Sequence, residues 1–248
     1  MFSASFFRSL PPVTKNLLII NVIVWAFLNI TPGTTTLKVL ELGGLHYVTS
    51  PGFGIWQLFT YMFIHESFMH LFFNMWALLM FGFLIERALG SKRFLFYYLS
   101  CGIGAAIVQL IVFAISINSL ASHISPVDYN QVVEQGWNVI REGYNFTNPV
   151  YGQLNQLING TTIGASGAVF GILLAIAMLF PNIPMSIMFI PYPVKAKWMV
   201  LGYGILELSL GIAGPSDGIA HFAHLGGMLF GFVMLWYWKH QYRKNGRY

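Results

Sequence analysis

Three groups of polar residues interrupt the apolar stretches of this sequence, and their side chains are suited to chemistry. The groups are His65, His70 and Asn74; Gly164-Ala165-Ser166-Gly167; and His221 with His224. Polar side chains within an apolar span are costly to bury, so their default interpretation is a functional site that faces the interior of a helix bundle.

The chemistry that fits these side chains is acyl transfer. A serine hydroxyl is a weak nucleophile until a neighbouring base removes its proton, and His224 is a suitable base for Ser166 near neutral pH. Charge would then develop on the carbonyl oxygen of the substrate. The predicted oxyanion donors are the backbone N–H of Ser166, at a helix N-terminus, and the side chains of His70 and Asn74, which share one helix face.

The composition indicates that lipid, rather than water, surrounds most of the chain. Apolar residues make up 56% of the 248 residues and charged residues only 8%, against roughly a quarter charged in an ordinary soluble domain. The apolar runs are continuous rather than alternating, which favours membrane helices over a β-barrel. The single cysteine, Cys101, excludes a disulfide framework and a cysteine metal site within the chain.

The fold class predicted from these runs is all-α: a polytopic membrane protein that forms a bundle of six transmembrane helices. The predicted spans are 13–30, 66–86, 94–115, 164–181, 196–213 and 219–238. We expect residues 1–248 to form a single domain, with external loops at about 31–55 and 116–162.

The basic residues predict an orientation in which both termini are cytoplasmic. With six spans, 11 of the 13 Lys and Arg residues then fall in inside segments, and only Lys38 and Arg141 lie outside. This distribution in short clusters is typical of a topology signal and argues against a nucleic acid partner. The second, fourth and sixth spans then run inward, so all three polar groups lie near the external side. Hydrolysis there requires a water-filled cavity open to the outside.

In their order along the chain these motifs resemble those of the rhomboid intramembrane serine proteases. The matching residues are the segment from His65 to Asn74, Gly164-Ala165-Ser166-Gly167, and Ala223-His224 followed by Gly227 and Gly231. The resemblance covers the whole six-helix core and implies transmembrane protein substrates in a lipid bilayer. It further implies a Ser166–His224 dyad with no acidic third member, an oxyanion site from His70 and Asn74, and neither a cofactor nor a metal.

Further similarities are Trp56 before the second helix and Phe170 one turn after the serine, where family members often carry an aromatic residue that packs on the histidine. Two departures are Gln57, where some members have arginine, and the length of the segment 116–162. With no evident transit peptide, we expect a plasma or inner membrane, with the active site opening to the external side.

Other interpretations of the same residues remain open. Serine and glycine often serve close helix packing in membranes, and Gly227-x-x-x-Gly231 is such a pattern. A zinc protease would need His-Glu-x-x-His, and His70 follows His65 one position too late. A metal transporter, or a catalytically inactive rhomboid-like protein that binds membrane-protein clients, would keep the cavity without needing Ser166.

No carboxylate is expected to complete a catalytic triad. If helix connects Asp217 with His224, the two stand roughly 10 Å apart. Glu66 and Glu207 remain candidates, but Glu207 is the lone acid of its helix and favours a packing hydrogen bond. His65 and His221 are expected to make structural hydrogen bonds.

Overall fold

The computed structural model describes residues 9–185, 192–213 and 220–244, and most of these residues are helical. The described helices are α1 Pro12–Ile30, α2 Gly33–Gly43, α3 Gln57–Thr60, α4 Phe68–Ala77, α5 Phe83–Leu89, α6 Ser91–Ala121, α7 Pro126–Arg141, α8 Pro149–Asn159, α9 Ser166–Leu179, α10 Ala196–Ala213 and α11 His221–Lys244. A π-helical turn, Leu78–Gly82, joins α4 to α5, and the strands Pro184–Met185 and Val194–Lys195 pair antiparallel before α10.

Five of the six predicted spans each correspond to one helix, and the span 66–86 corresponds to α4 and α5 with the π-helical turn between them. Among the described residues, four helices are long and apolar enough to cross a membrane: Pro12–Ile30, Phe68–Leu89, Ser91–Ala121 and Ala196–Ala213. The helix α9 is apolar but shorter, and α11 continues beyond its predicted end at 238. The predicted start of the last span, at 219, lies outside the described residues. These helices make the chain an integral membrane protein.

The two long segments predicted as loops contain helices. The segment 31–55 includes α2, and 116–162 includes the end of α6 followed by α7 and α8. Side-chain caps begin both of the latter, since Ser125 accepts a hydrogen bond from Asp128 N and Asn148 accepts from Val150 N, and a proline follows each cap. The helices share a small apolar core formed by Ile117, Val132, Leu154 and Ile158.

Close backbone contact between α9 and α11 sets the position of the polar residues. A methyl group on Gly227 of α11 would overlap the backbone carbonyl of Gly167 in α9. One turn further along α9, the Tyr97 hydroxyl from α6 donates a 2.7 Å hydrogen bond to the carbonyl of Gly171. Small residues permit this approach, as they do in many membrane helix pairs, so the packing role considered for these glycines is confirmed.

The end of the bundle opposite the polar groups is held by Glu86. Its buried carboxylate accepts hydrogen bonds from Val13 N at 2.9 Å, from Thr14 N and Oγ1 at 2.7 Å, and from Ser91 Oγ at 2.7 Å. A negative charge at the N-terminus of α1 is favourable for the helix dipole. Glu86 therefore ties α1 to the beginning of α6.

Candidate active site

Ser166 and His224 are hydrogen-bonded to each other although 58 residues separate them in the sequence. The Ser166 Oγ atom lies 2.8 Å from Nε2 of the His224 imidazole. This distance is within the range for a nucleophile and the base that deprotonates it. Ser166 is half-buried and His224 is buried, with 8% of its surface exposed.

The backbone before Ser166 is fixed by contacts with two distant segments. Thr162 exchanges two 2.9 Å backbone hydrogen bonds with Leu45, and Gly164 N donates to the carbonyl of Tyr61 at 2.9 Å. Gly164 has a φ of +122°, a conformation that glycine adopts with little strain. Ser166 is then the first residue of α9, so its N–H has no acceptor within the helix and lies at the positive end of the helix dipole.

The ring of His224 is held by an aromatic residue from the serine helix. Phe170 lies parallel to the imidazole, with ring centroids 4.2 Å apart and an angle of 4° between the planes. Phe170 also meets Tyr203 of α10 edge-on at 6.5 Å. The packing of Phe170 on His224, expected from the family resemblance, is confirmed.

His70 and Asn74 lie on α4, at the same end of the bundle as Ser166. The hydroxyl of Ser67 caps this helix by accepting from His70 N at 3.2 Å. The imidazole of His70 lies against Gly164. A methyl group on Gly164 would lie 2.7 Å from the Nε2 atom of His70. The amide of Asn74 donates to the His70 carbonyl at 2.9 Å, and because an amide nitrogen carries two hydrogens, one is left for another acceptor.

The four predicted site residues line one cavity of about 1150 Å³. Its walls include Ser166, His224, His70 and Asn74, together with apolar side chains from α1, α4 and α9. The sequence predicts a water-filled cavity at this position, and a space of this size admits both water and an extended peptide segment.

No carboxylate was expected to complete a triad, and Glu207 was expected to make a packing hydrogen bond; the hydrogen bond is present, and one of its partners is His224. Glu207 Oε2 lies 2.9 Å from His224 Nδ1 and 2.7 Å from His221 Nδ1. Glu207 comes from the middle of α10 and is 8% exposed. The signal in the sequence was a single ionisable residue in an apolar helix, but the sequence does not reveal which residue of another helix such a side chain will face.

Glu207, His221 and His224 also form the kind of group that could hold a metal ion, with ligand atoms within 4.8 Å of one another. Ligand atoms around a tetrahedral zinc ion, each about 2.0 Å from the metal, would stand roughly 3.3 Å apart. The observed N–O distances of 2.7 and 2.9 Å are those of hydrogen bonds.

The other polar residues singled out in the sequence have varied surroundings. His65 is buried edge-on against His70, with ring centroids 5.0 Å apart, but neither of its ring nitrogens has a hydrogen-bond partner in the described part of the chain. The hydrogen bond expected of His221 is present, whereas the one expected of His65 is not found among the described residues. Glu66 is exposed at the cavity wall, and Asp217 lies outside the described residues.

Gln57, noted above as a departure from the family resemblance, holds the segment before α3 in place. Its side-chain oxygen accepts from His46 N at 3.2 Å, and its amide donates to the carbonyls of Gly52 at 2.8 Å and Glu41 at 3.1 Å. Gln57 is fully buried. Its neutral side-chain amide therefore provides hydrogen-bond partners for buried backbone N–H and C=O groups.

Comparison with known proteins identifies relatives of this arrangement. A family model for the Rhomboid domain matches residues 52–125 and 138–241. The chain is 27% identical over 242 residues to rhomboid protein 1, mitochondrial, of Saccharomyces cerevisiae. This match covers 93% of this chain and 57% of the yeast protein. The chain is 28% identical over 131 residues to the putative rhomboid protease YdcA of Bacillus subtilis, which covers 52% of this chain and 59% of that protein.

A shorter match, 31% identical over 110 residues, joins the chain to rhomboid protease GluP of Bacillus subtilis and covers 44% of this chain and 22% of the relative. The chain thus spans less than two thirds of the length of each of these relatives. The family match, in contrast, extends over most of the chain and includes the segments that carry His70, Ser166 and His224. This protein therefore belongs to the rhomboid family.

Proposed function

We propose that this protein is an intramembrane serine endopeptidase that cleaves transmembrane-helix substrates with Ser166 as nucleophile and His224 as general base. The observation that carries the proposal is the 2.8 Å hydrogen bond between Ser166 Oγ and His224 Nε2, at the wall of a large cavity. Relatives named as rhomboid proteases are consistent with it.

The reaction begins when Ser166 Oγ attacks the scissile carbonyl carbon and its proton passes to Nε2 of His224. The carbonyl π electrons move to the oxygen, where the Ser166 N–H, His70 and Asn74 are proposed to donate hydrogen bonds. Collapse of this intermediate breaks the C–N bond, and the proton on Nε2 passes to the leaving amine. Water then attacks the acyl ester after giving a proton to Nε2, and this proton returns to Ser166 as the acid is released.

The proposed topology has six membrane-spanning helices, both termini in the cytoplasm, and a site that opens to the external side of a plasma or inner membrane. In support, His70, Ser166 and His224 all lie in the first turn of their helices, and all three line one cavity. Glu142 is exposed and lies in a segment proposed to be external, so a cysteine introduced there should react with an impermeant maleimide added outside sealed cells. The native Cys101 is buried and should not react. Labelling only after permeabilisation would show that the orientation is the opposite of the one proposed.

The direct test of the activity is cleavage of a helical membrane substrate by the purified protein in proteoliposomes. The parent protein should cut the substrate and react covalently with a fluorophosphonate, whereas Ser166→Ala should do neither. A parent protein that binds the substrate but neither cuts it nor reacts would be the client-binding relative instead. Cleavage by Ser166→Ala at the parent rate would refute Ser166 as the nucleophile.

A further inference from the structure

Glu207 is the one acidic residue of α10, and its side chain is buried inside the bundle. Its neighbours Leu206 and Leu208 are 49% and 46% exposed, as expected for a helix that faces lipid. An ionisable group in such a helix is costly unless it is paired inside the protein. The side chains that pair with it are His221 and His224 of α11, which are one helical turn apart.

We infer that Glu207 is a positioning residue of the active site, whose carboxylate orients the His224 imidazole and fixes its tautomer for proton transfer from Ser166. The inference rests on the proposed protease function and adds a third member to the predicted Ser166–His224 pair.

The geometry places the three groups in a chain. The two ring nitrogens of His224 have different partners, with Nδ1 2.9 Å from Glu207 Oε2 and Nε2 2.8 Å from Ser166 Oγ. An ionised carboxylate only accepts hydrogen bonds, so Nδ1 must carry the hydrogen in this arrangement. In a neutral imidazole Nε2 is then the acceptor, and it faces the hydroxyl whose proton it must take.

The carboxylate also faces the charge that forms during the reaction. When the Ser166 proton reaches Nε2, His224 becomes an imidazolium, and a buried negative charge at 2.9 Å stabilises it. His221 holds the same carboxylate oxygen at 2.7 Å from the other side. His221 thus restricts the rotation of Glu207, and Phe170 restricts the imidazole ring of His224.

Two other roles are open to the same three residues, and each predicts a different result. Glu207 could serve only to join α10 to α11, in which case its loss would reduce stability and leave the turnover of the folded protein unchanged. Glu207, His221 and His224 could instead hold a metal ion, in which case chelation would change the activity.

The principal test compares Glu207→Gln with Glu86→Gln, measured as kcat and KM in proteoliposomes and as the thermal midpoint. Both glutamates are buried and hydrogen-bonded, but Glu86 lies away from the cavity and contacts α1 and α6. We expect Glu207→Gln to lower kcat by up to about 10⁴, the loss that amide replacement causes in a soluble triad, with little change in KM. Glu86→Gln should lower the thermal midpoint and keep the kcat of the folded protein.

A kcat within tenfold of the parent in folded Glu207→Gln would overturn the inference. Addition of 1,10-phenanthroline should leave the parent enzyme unaffected, and a loss of activity that zinc restores would replace the inference with a metal site. If the parent cleaves and Ser166→Ala does not, the protease function stands whatever Glu207→Gln does. If the parent fails to cleave, the proposed function itself has failed.

A second measurement needs no variant at Glu207. Nitrogen-15 NMR of histidine-labelled parent protein reports which ring nitrogen carries the hydrogen, and His224→Gln and His221→Gln samples assign the two signals. The inference requires a His224 imidazole protonated at Nδ1. A neutral His224 protonated at Nε2 would contradict it even if Glu207→Gln does not fold.

Discussion

The stacking of Phe170 on His224 gives a prediction of limited and calculable size. Phe170→Leu keeps an apolar side chain beside the imidazole but removes the parallel ring 4.2 Å away. Aromatic pairs of this kind contribute about 0.5–1.5 kcal/mol beyond the area that they bury. If this energy holds the ring ready for proton transfer, kcat should fall about twofold to twelvefold, since each 1.36 kcal/mol changes a rate tenfold.

The assay is kcat at saturating substrate in proteoliposomes, together with the rate of fluorophosphonate labelling, which does not depend on the fit of a helical substrate. Phe170→Tyr keeps the ring and serves as the control, with a kcat expected within about twofold of the parent. An unchanged kcat and labelling rate in Phe170→Leu would show that the stack does not orient His224. A loss above a hundredfold would show that Phe170 does more than orient the ring.

Two further substitutions test the oxyanion site and the helix contact. Asn74→Ala should lower kcat by about 10² to 10³ with little effect on KM, as loss of one oxyanion donor typically does; an unchanged kcat with a raised KM would reassign Asn74 to substrate binding. Gly227→Ala should destabilise the protein by about 1–3 kcal/mol, because the methyl group overlaps the Gly167 carbonyl. Gly202→Ala, which meets nothing within 4 Å, should not lower the thermal midpoint, and equal midpoints for both variants would contradict the contact.

The sequence predicted the helices well because apolar runs of membrane-spanning length have few other structures available in lipid. The span 196–213 coincides with α10, whereas 94–115 is shorter than the observed Ser91–Ala121. The ends of α6 were missed because polar residues such as Ser91 and Ser119 continue the helix beyond the apolar run. Hydropathy marks where a helix enters lipid and not where its hydrogen bonds end.

The segment 116–162 was predicted as a loop because its composition is polar, yet it forms α7 and α8. The caps Ser125 and Asn148, each before a proline, were the local signals that would have identified the two helix starts. The packing of α7 and α8 on Ile117 depends on contacts between distant residues, which a search for membrane spans does not consider.

The convergence of His70, Ser166 and His224 was predictable because each lies near the start of a helix, and the predicted order of the spans gives those helices the same direction. The contact of Glu207 with His224 was not, because it depends on the rotation of α10 about its axis. A helix exposed to lipid on most of its surface leaves this rotation undefined in the sequence. The lone acid at position 207 indicated a buried partner, and the structure identifies that partner as the histidine pair.

The central claim is that Ser166 and His224 act as one unit, and the most direct measurement is the residual cleavage rate of both single variants and the double variant. Cleavage of a helical substrate in proteoliposomes should fall to the same low rate in Ser166→Ala, His224→Ala and the combined variant, because removal of either residue disables the other. Thermal unfolding measurements should show that all three variants remain folded. Losses that multiply in the double variant, or substantial turnover in either single variant, would contradict the account.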